Sequence, residues 1–236
     1  MIFDPLYLAI IGIGMLLSFA ASTMVKGTFA KYSKVGSRSG MTGAQVAQAI
    51  LRDNGIHDVK VEAVAGKLSD HYDPRSKTLR LSEPVYGSNS LAAFGVAAHE
   101  VGHAIQHANG YAMLKFRSAW VPVANTGSGL SIFVLIAALV LGGVGTALGS
   151  ALALIGVCLF GATTLFTLIT VPVEFDASRR ALLTLETGGY LAADEMVGAR
   201  KVLRAAGMTY VAAFLTSLLT LLYWAYRLGL LGGRRN

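Results

Sequence analysis

The sequence predicts a mainly α membrane protein, with about four transmembrane helices and a small α+β unit outside the bilayer. Three observations lead there. Of 236 residues, 54% are hydrophobic and only 14% are charged, too apolar a balance for an ordinary soluble domain. Residues 128–173 contain no charged side chain, over a length sufficient for two passes. Residues 26–127, by contrast, carry charges, turn signals and alternating patterns.

The elements follow in order. Residues 6–25 form the first apolar run. Its N-terminal flank holds Asp4 and no basic residue, and the run is long for a signal-peptide core, so residues 1–25 are expected to be a retained anchor. Residues 128–171 are expected to be a transmembrane hairpin, broken at the small-residue stretch 142–150. Residues 172–208 read as a helical segment. Residues 209–236 read as a last transmembrane helix, apolar over 209–225, with a basic tail. The lone Cys158 falls in the third span, which excludes an intrachain disulfide.

Basic residues set the orientation. Lys26, Lys31, Lys34 and Arg38 follow the first span, Lys115 and Arg117 precede the second, and Arg179, Arg180, Arg200, Lys201 and Arg204 separate the third from the fourth. Four passes put all of them on one face, expected to be the cytoplasmic one. The same count puts Arg227, Arg234 and Arg235 on the other face. Either those charges are outvoted, the favoured reading, or the last segment is re-entrant. The formal charge of +7 fits anionic inner-leaflet lipids, and no nucleic-acid-binding pattern is present.

Within residues 26–127, Thr42 and Gln45 form a capping box ahead of Val46, Ile50 and Leu51, and Gly55 closes that helix. Residues 59–64 and 77–82 alternate as two strands of a hairpin, with a turn cluster at 70–76. A further helix begins at Ser88 or Asn89 and ends at Gly110. The free edge of the hairpin is a place where a peptide strand can add by main-chain pairing.

That last helix carries His99-Glu100-Val101-Gly102-His103. Residues four apart on a helix differ by about 40° in azimuth and about 6 Å in height, so the two imidazoles face one point. Two neutral imidazoles there can hold zinc, and Glu100 between them can take a proton from a water the metal activates. A chance match is disfavoured by the helix-forming flanks and by a carboxylate with no packing role in an apolar helix.

A zinc hydrolase site needs a third protein ligand and an open position. His107 lies about 12 Å along the axis from His99, too far to share one ion, so it is expected to be a surface residue or a support to the ligands. The pattern with a third histidine on the same helix requires glycine at 106 and histidine at 109, where this chain has Gln106 and Asn109. The third ligand is expected in the segment around residues 171–181. Pro172 suits a helix start, placing Glu174 in a first turn beside the membrane, where an unpaired carboxylate is costly. Asp176, Glu186, Asp194 and Glu195 compete for the role. His71, Tyr72, Arg179 and Tyr190 are chemically suited to stabilising an oxyanion.

The stretches at residues 71–82, 98–107 and 171–181, in that order, resemble the YugP-like bacterial membrane zinc metallopeptidases over nearly the whole chain. The chain is more distantly similar to the HtpX and CAAX-prenyl-protease group. The resemblance implies a zincin-like cytoplasmic domain of gluzincin type, one Zn²⁺ per chain held by His99, His103 and Glu174, and a multi-pass protein of the bacterial cytoplasmic membrane with its site facing the cytoplasm. One departure stands out. Sites of this type often carry Asp four residues after the ligand glutamate, where this chain has Ser178. Ser178, or else Asp176 or Asp194, is then expected to orient a ligand histidine.

The expected activity is hydrolysis of peptide bonds in membrane or membrane-associated proteins, with Glu100 as general base. The expected partners are the lipid bilayer and a protein or peptide substrate, and a homo-oligomer is compatible with the sequence. The alternative is a catalytically idle scaffold that binds zinc and a protein partner. Intact Glu100 argues against it, since zinc binding does not need that residue. An intramembrane protease would need the motif inside a span, and the stretch before it, 82–90, is largely polar. A metal transporter would need ionisable groups in the spans.

Overall fold

The structure, a computed structural model, describes residues 4–231. Helix α1 runs over Pro5–Tyr32, α2 over Gly43–Asp53, α3 over Glu83–Tyr86, α4 over Leu91–Ala108, α5 over Ala112–Val140, α6 over Ala147–Thr187 and α7 over Ala193–Arg227. Three short strands, β1 (Lys60–Val64), β2 (His71–Asp73) and β3 (Thr78–Ser82), lie between α2 and α3. α1, α6 and α7 are long and apolar enough to cross a membrane, and α5, bent by 41° between Gly127 and Gly129, makes a fourth if it is one span. Only 11–17% of the most apolar window of α1, α6 and α7 is buried in protein, which leaves long apolar faces exposed. Arg234 and Arg235, invoked for orientation, lie outside the described residues.

The chain forms two compact units. One comprises residues up to Phe19, then Phe116–Val171 and the stretch from Tyr210 onward. Its core gathers Leu135 and Ala138 of α5, Ala153 of α6, and Tyr223, Trp224 and Leu228 at the end of the chain. The α5–α6 hairpin turns at Gly142, left-handed at φ 95°, which only glycine adopts readily. Cys158 is exposed on α6.

The other unit comprises Ala20–Lys115 and Pro172–Thr209. Its core joins Val46 and Ile50 of α2, Leu79 and Leu81 of β3, Phe94, Ala97 and Val101 of α4, Ala181 and Leu185 of α6, and Ala199 of α7. The capping box at Thr42 and Gln45 is present on both sides, and Gly55 follows α2 with φ 69°. α4 is capped by Ser90, whose hydroxyl accepts from the Ala93 amide, and Gly110 follows it with φ 64°. The start of α4 is tied to the strap after α1 by Ser37 N–H to Asn89 O and Leu91 N–H to Val35 O.

Two expectations are corrected. The strands at 59–64 and 77–82 do not form a hairpin: β1 and β3 pair in parallel, Lys60 opposite Thr78 through Val64 opposite Ser82. β2, inside the expected turn cluster, is the antiparallel partner of β3, with Tyr72 opposite Leu79. β3 is therefore central and buried at Thr78, Leu79, Leu81 and Ser82, leaving β1 and β2 as edges. Asp70 makes this order work, accepting from the Ser82 amide (2.7 Å) and hydroxyl at the end of β3. The second correction concerns Pro172, which lies inside a continuous α6 rather than at a helix start, so Glu174 is mid-helix.

α4 and α6 meet at Gly102, where an added Cβ would lie 2.4 Å from the Ala177 carbonyl oxygen, a backbone atom that cannot rotate away. Gly102→Ala is expected to destabilise this unit by about 1–3 kcal/mol, read as a lowered Tm of the detergent-solubilised protein.

Candidate metal centre

His99, Glu100 and His103 share one face of α4, and α6 is held against that face by the contact at Gly102. On α6, Val173, Glu174, Ala177 and Ser178 follow helical spacing and so present one stripe towards α4. Glu174 Oε2 lies 3.1 Å from His99 Nε2 and 3.5 Å from His103 Nε2. One ligand atom from each of the three residues lies within 4.8 Å of the others. Tetrahedral bonds of roughly 2.0–2.1 Å put ligand atoms roughly 3.3 Å apart, so the two distances from Glu174 match a small tetrahedral cation. Glu174 is 2% exposed, a burial that a carboxylate tolerates only with positive or hydrogen-bonding company.

Each imidazole is oriented through its other nitrogen. Ser178 Oγ lies 3.1 Å from His99 Nδ1, the contact expected for a residue four beyond Glu174. His103 Nδ1 lies 3.0 Å from Gln106 Oε1. The Gln106 amide nitrogen donates to Val173 O (2.8 Å) and to Asp176 Oδ2 (2.9 Å), which leaves its oxygen facing His103. His103 Nδ1 must then carry the proton, and the Nε2 lone pair is free for a metal. Asp176 is held in turn by Arg179 and Arg180, and Arg180 stacks over Tyr111. Asp176 thus reaches a histidine only through Gln106. Gln106, fully buried, was not among the expected site residues; its place three residues after His103, on the same helix face, is the signal that could have singled it out.

Glu100 is buried. Burial pushes its carboxyl up to about 7; Glu174 and Asp70 push the same way, against His99 and the Tyr72 amide.

The remaining candidates are engaged elsewhere. The Tyr72 hydroxyl, pushed up to about 12 by burial, lies 2.8 Å from His107 Nδ1. His71 Nδ1 donates to Ser69 O, Arg179 pairs with Asp176 and Tyr190 bonds Asp53. Of the competing ligands, Asp194 pairs with Arg38, Glu195 accepts from the Arg38 and Ala192 amides, and Glu186 is exposed.

A family model described as "Putative neutral zinc metallopeptidase" matches residues 7–229. "Putative membrane protease YugP" of Bacillus subtilis (strain 168) is 46% identical over 217 residues, 92% of this chain and 93% of that protein. The chain belongs to this zinc metallopeptidase family. No solved structure matches it. Membership implies zinc, and the His99, His103 and Glu174 donor set fits that metal: two imidazole nitrogens and one carboxylate, each imidazole anchored through Nδ1.

In this family member Gln106→Leu should remove the anchor of His103 while keeping bulk. Zinc affinity is expected to fall about 10–100-fold, measured by competition with a chromophoric chelator.

Proposed function

We propose that the protein is a membrane-embedded zinc endopeptidase that cuts membrane or membrane-associated proteins at the cytoplasmic membrane surface. The observation that carries this reading is the convergence of His99 Nε2, His103 Nε2 and Glu174 Oε2, with buried Glu100 on the same turn of α4. His99, His103 and Glu174 are the residues that would hold one zinc ion. Zinc in such a site polarises a peptide carbonyl and lowers the pKa of water. Glu100 takes the proton of the attacking water and delivers it to the leaving amine nitrogen. Ser178 and Gln106 hold the imidazoles in place, so the site needs little rearrangement when substrate arrives.

The membrane-surface setting rests on the α6 sequence. Its uncharged stretch gives way at residue 174 to Glu174, Asp176, Arg179 and Arg180, the pattern of a helix leaving the bilayer. The cytoplasmic side follows from the basic residues flanking the spans. A substrate strand would add by main-chain pairing along β2, an edge of the sheet.

Two variants in proteoliposomes test the reading with a quenched fluorescent peptide library. Glu100→Gln is expected to retain zinc by metal analysis and to lose hydrolysis by at least about 100-fold. Glu174→Ala is expected to lose most of the bound zinc. Cleavage by Glu100→Gln at the unaltered rate would refute the mechanism, and full zinc content in Glu174→Ala would place the third ligand elsewhere.

A further inference from the structure

Away from the histidine pair, α1 and α7 flank an open groove of about 530 Å³, within the 300–1,000 Å³ range typical of ligand sites. Its lining includes Lys31, Lys201 and Arg204 together with Met24 and Met208. No carboxylate lines it, and among the described residues Lys201 and Arg204 have no hydrogen-bond or ion-pair partner. The Lys31 ammonium lies 5.6 Å from the centre of the Tyr32 ring. Lys31, Lys201 and Arg204 are exposed cations that share this groove with no carboxylate among its lining residues, so an anion among them is favoured.

The helices run antiparallel here, since Tyr32 packs at Gly198 while Met24 and Met208 share the groove. Met24 closes the apolar run of α1, and Met208 directly precedes the apolar run of α7. Lys31 and Lys201 are each seven residues, about 10 Å, further from those runs. The groove is thus amphipathic along the helix axes: apolar where both helices turn lipid-soluble, cationic where both turn polar. The two methionines are 40% and 38% exposed, leaving the apolar end open.

We infer that this groove is a binding site for an anionic phospholipid, its phosphate between Lys31, Lys201 and Arg204 and its acyl chains leaving past Met24 and Met208. A soluble phosphate would satisfy the cations but leave the methionines uncovered. A lipid satisfies both ends, as basic pockets between transmembrane helices do.

Native mass spectrometry of the full-length protein in detergent, titrated with phosphatidylglycerol, phosphatidylcholine or inorganic phosphate, tests this. Phosphatidylglycerol is expected to bind in preference to phosphatidylcholine and to raise the Tm, and inorganic phosphate to do neither. Lys201→Gln/Arg204→Gln is expected to weaken phosphatidylglycerol binding about ten- to thirtyfold with zinc content unchanged. Lys31→Gln, at an exposed position, serves as an independent variant with about fivefold loss. Lys26→Gln/Lys34→Gln removes equal charge nearby without touching the groove and is expected to bind as the unaltered protein does. Equal losses in the two double variants would reduce the effect to diffuse charge attraction and overturn the site. Equal binding of both lipids, or a Tm rise with inorganic phosphate alone, would overturn it as well.

Discussion

The close approach of α4 and α6 at Gly102 is the contact on which the candidate centre rests. With no side chain at that position, the Ala177 carbonyl oxygen approaches to 2.4 Å from where a Cβ would be. At that separation Glu174 reaches both Nε2 atoms, Ser178 reaches His99, and Val173 and Asp176 reach Gln106. A helix pair held even one ångström further apart would break all of these together, because hydrogen bonds near 3 Å weaken steeply on stretching. The glycine inside the motif therefore has a role separate from the motif's chemistry. It sets the distance over which the chemistry is assembled.

Burying that many polar groups is tolerable because the network closes. Gln106 spends its donors on Val173 and Asp176 and its acceptor on His103, and Asp176 spends its remaining capacity on two arginines. A buried network with one member unsatisfied costs more than an apolar core of the same shape. The chain from Arg179 and Arg180 through Asp176 and Gln106 thereby fixes the tautomer of His103 from outside the centre. His99 is fixed by a single hydroxyl, so the two imidazoles are anchored with unequal firmness.

Local signals in the sequence were legible wherever the physics is local. The capping box at Thr42, the glycine stops at Gly55 and Gly110, and the small-residue break between α5 and α6 each depend on neighbours a few residues away, and each is found in the structure. Strand pairing is not local. The alternation at 59–64 and 77–82 suits strands in either direction, and nothing within either run announces the β2 partner or the Asp70 tie that makes β3 central. Ser178 was reachable by spacing from Glu174. Gln106 was read only as a mismatch to a different histidine pattern, because its function depends on α6 residues far along the chain.

Pro172 shows how a local rule is overridden and leaves a trace. Proline favours a helix start because it has no amide to donate, yet here the helix continues through it. The rung of the backbone ladder to residue 168 is then missing, and interior proline is tolerated in apolar helices where neighbouring groups absorb the loss. The division between the two compact units falls on this residue, between Val171 and Pro172. Glu174, two residues on, is held from the side by its neighbours on α6: the Gln106 bonds to Val173 and Asp176, and the seat of Ala177 on Gly102.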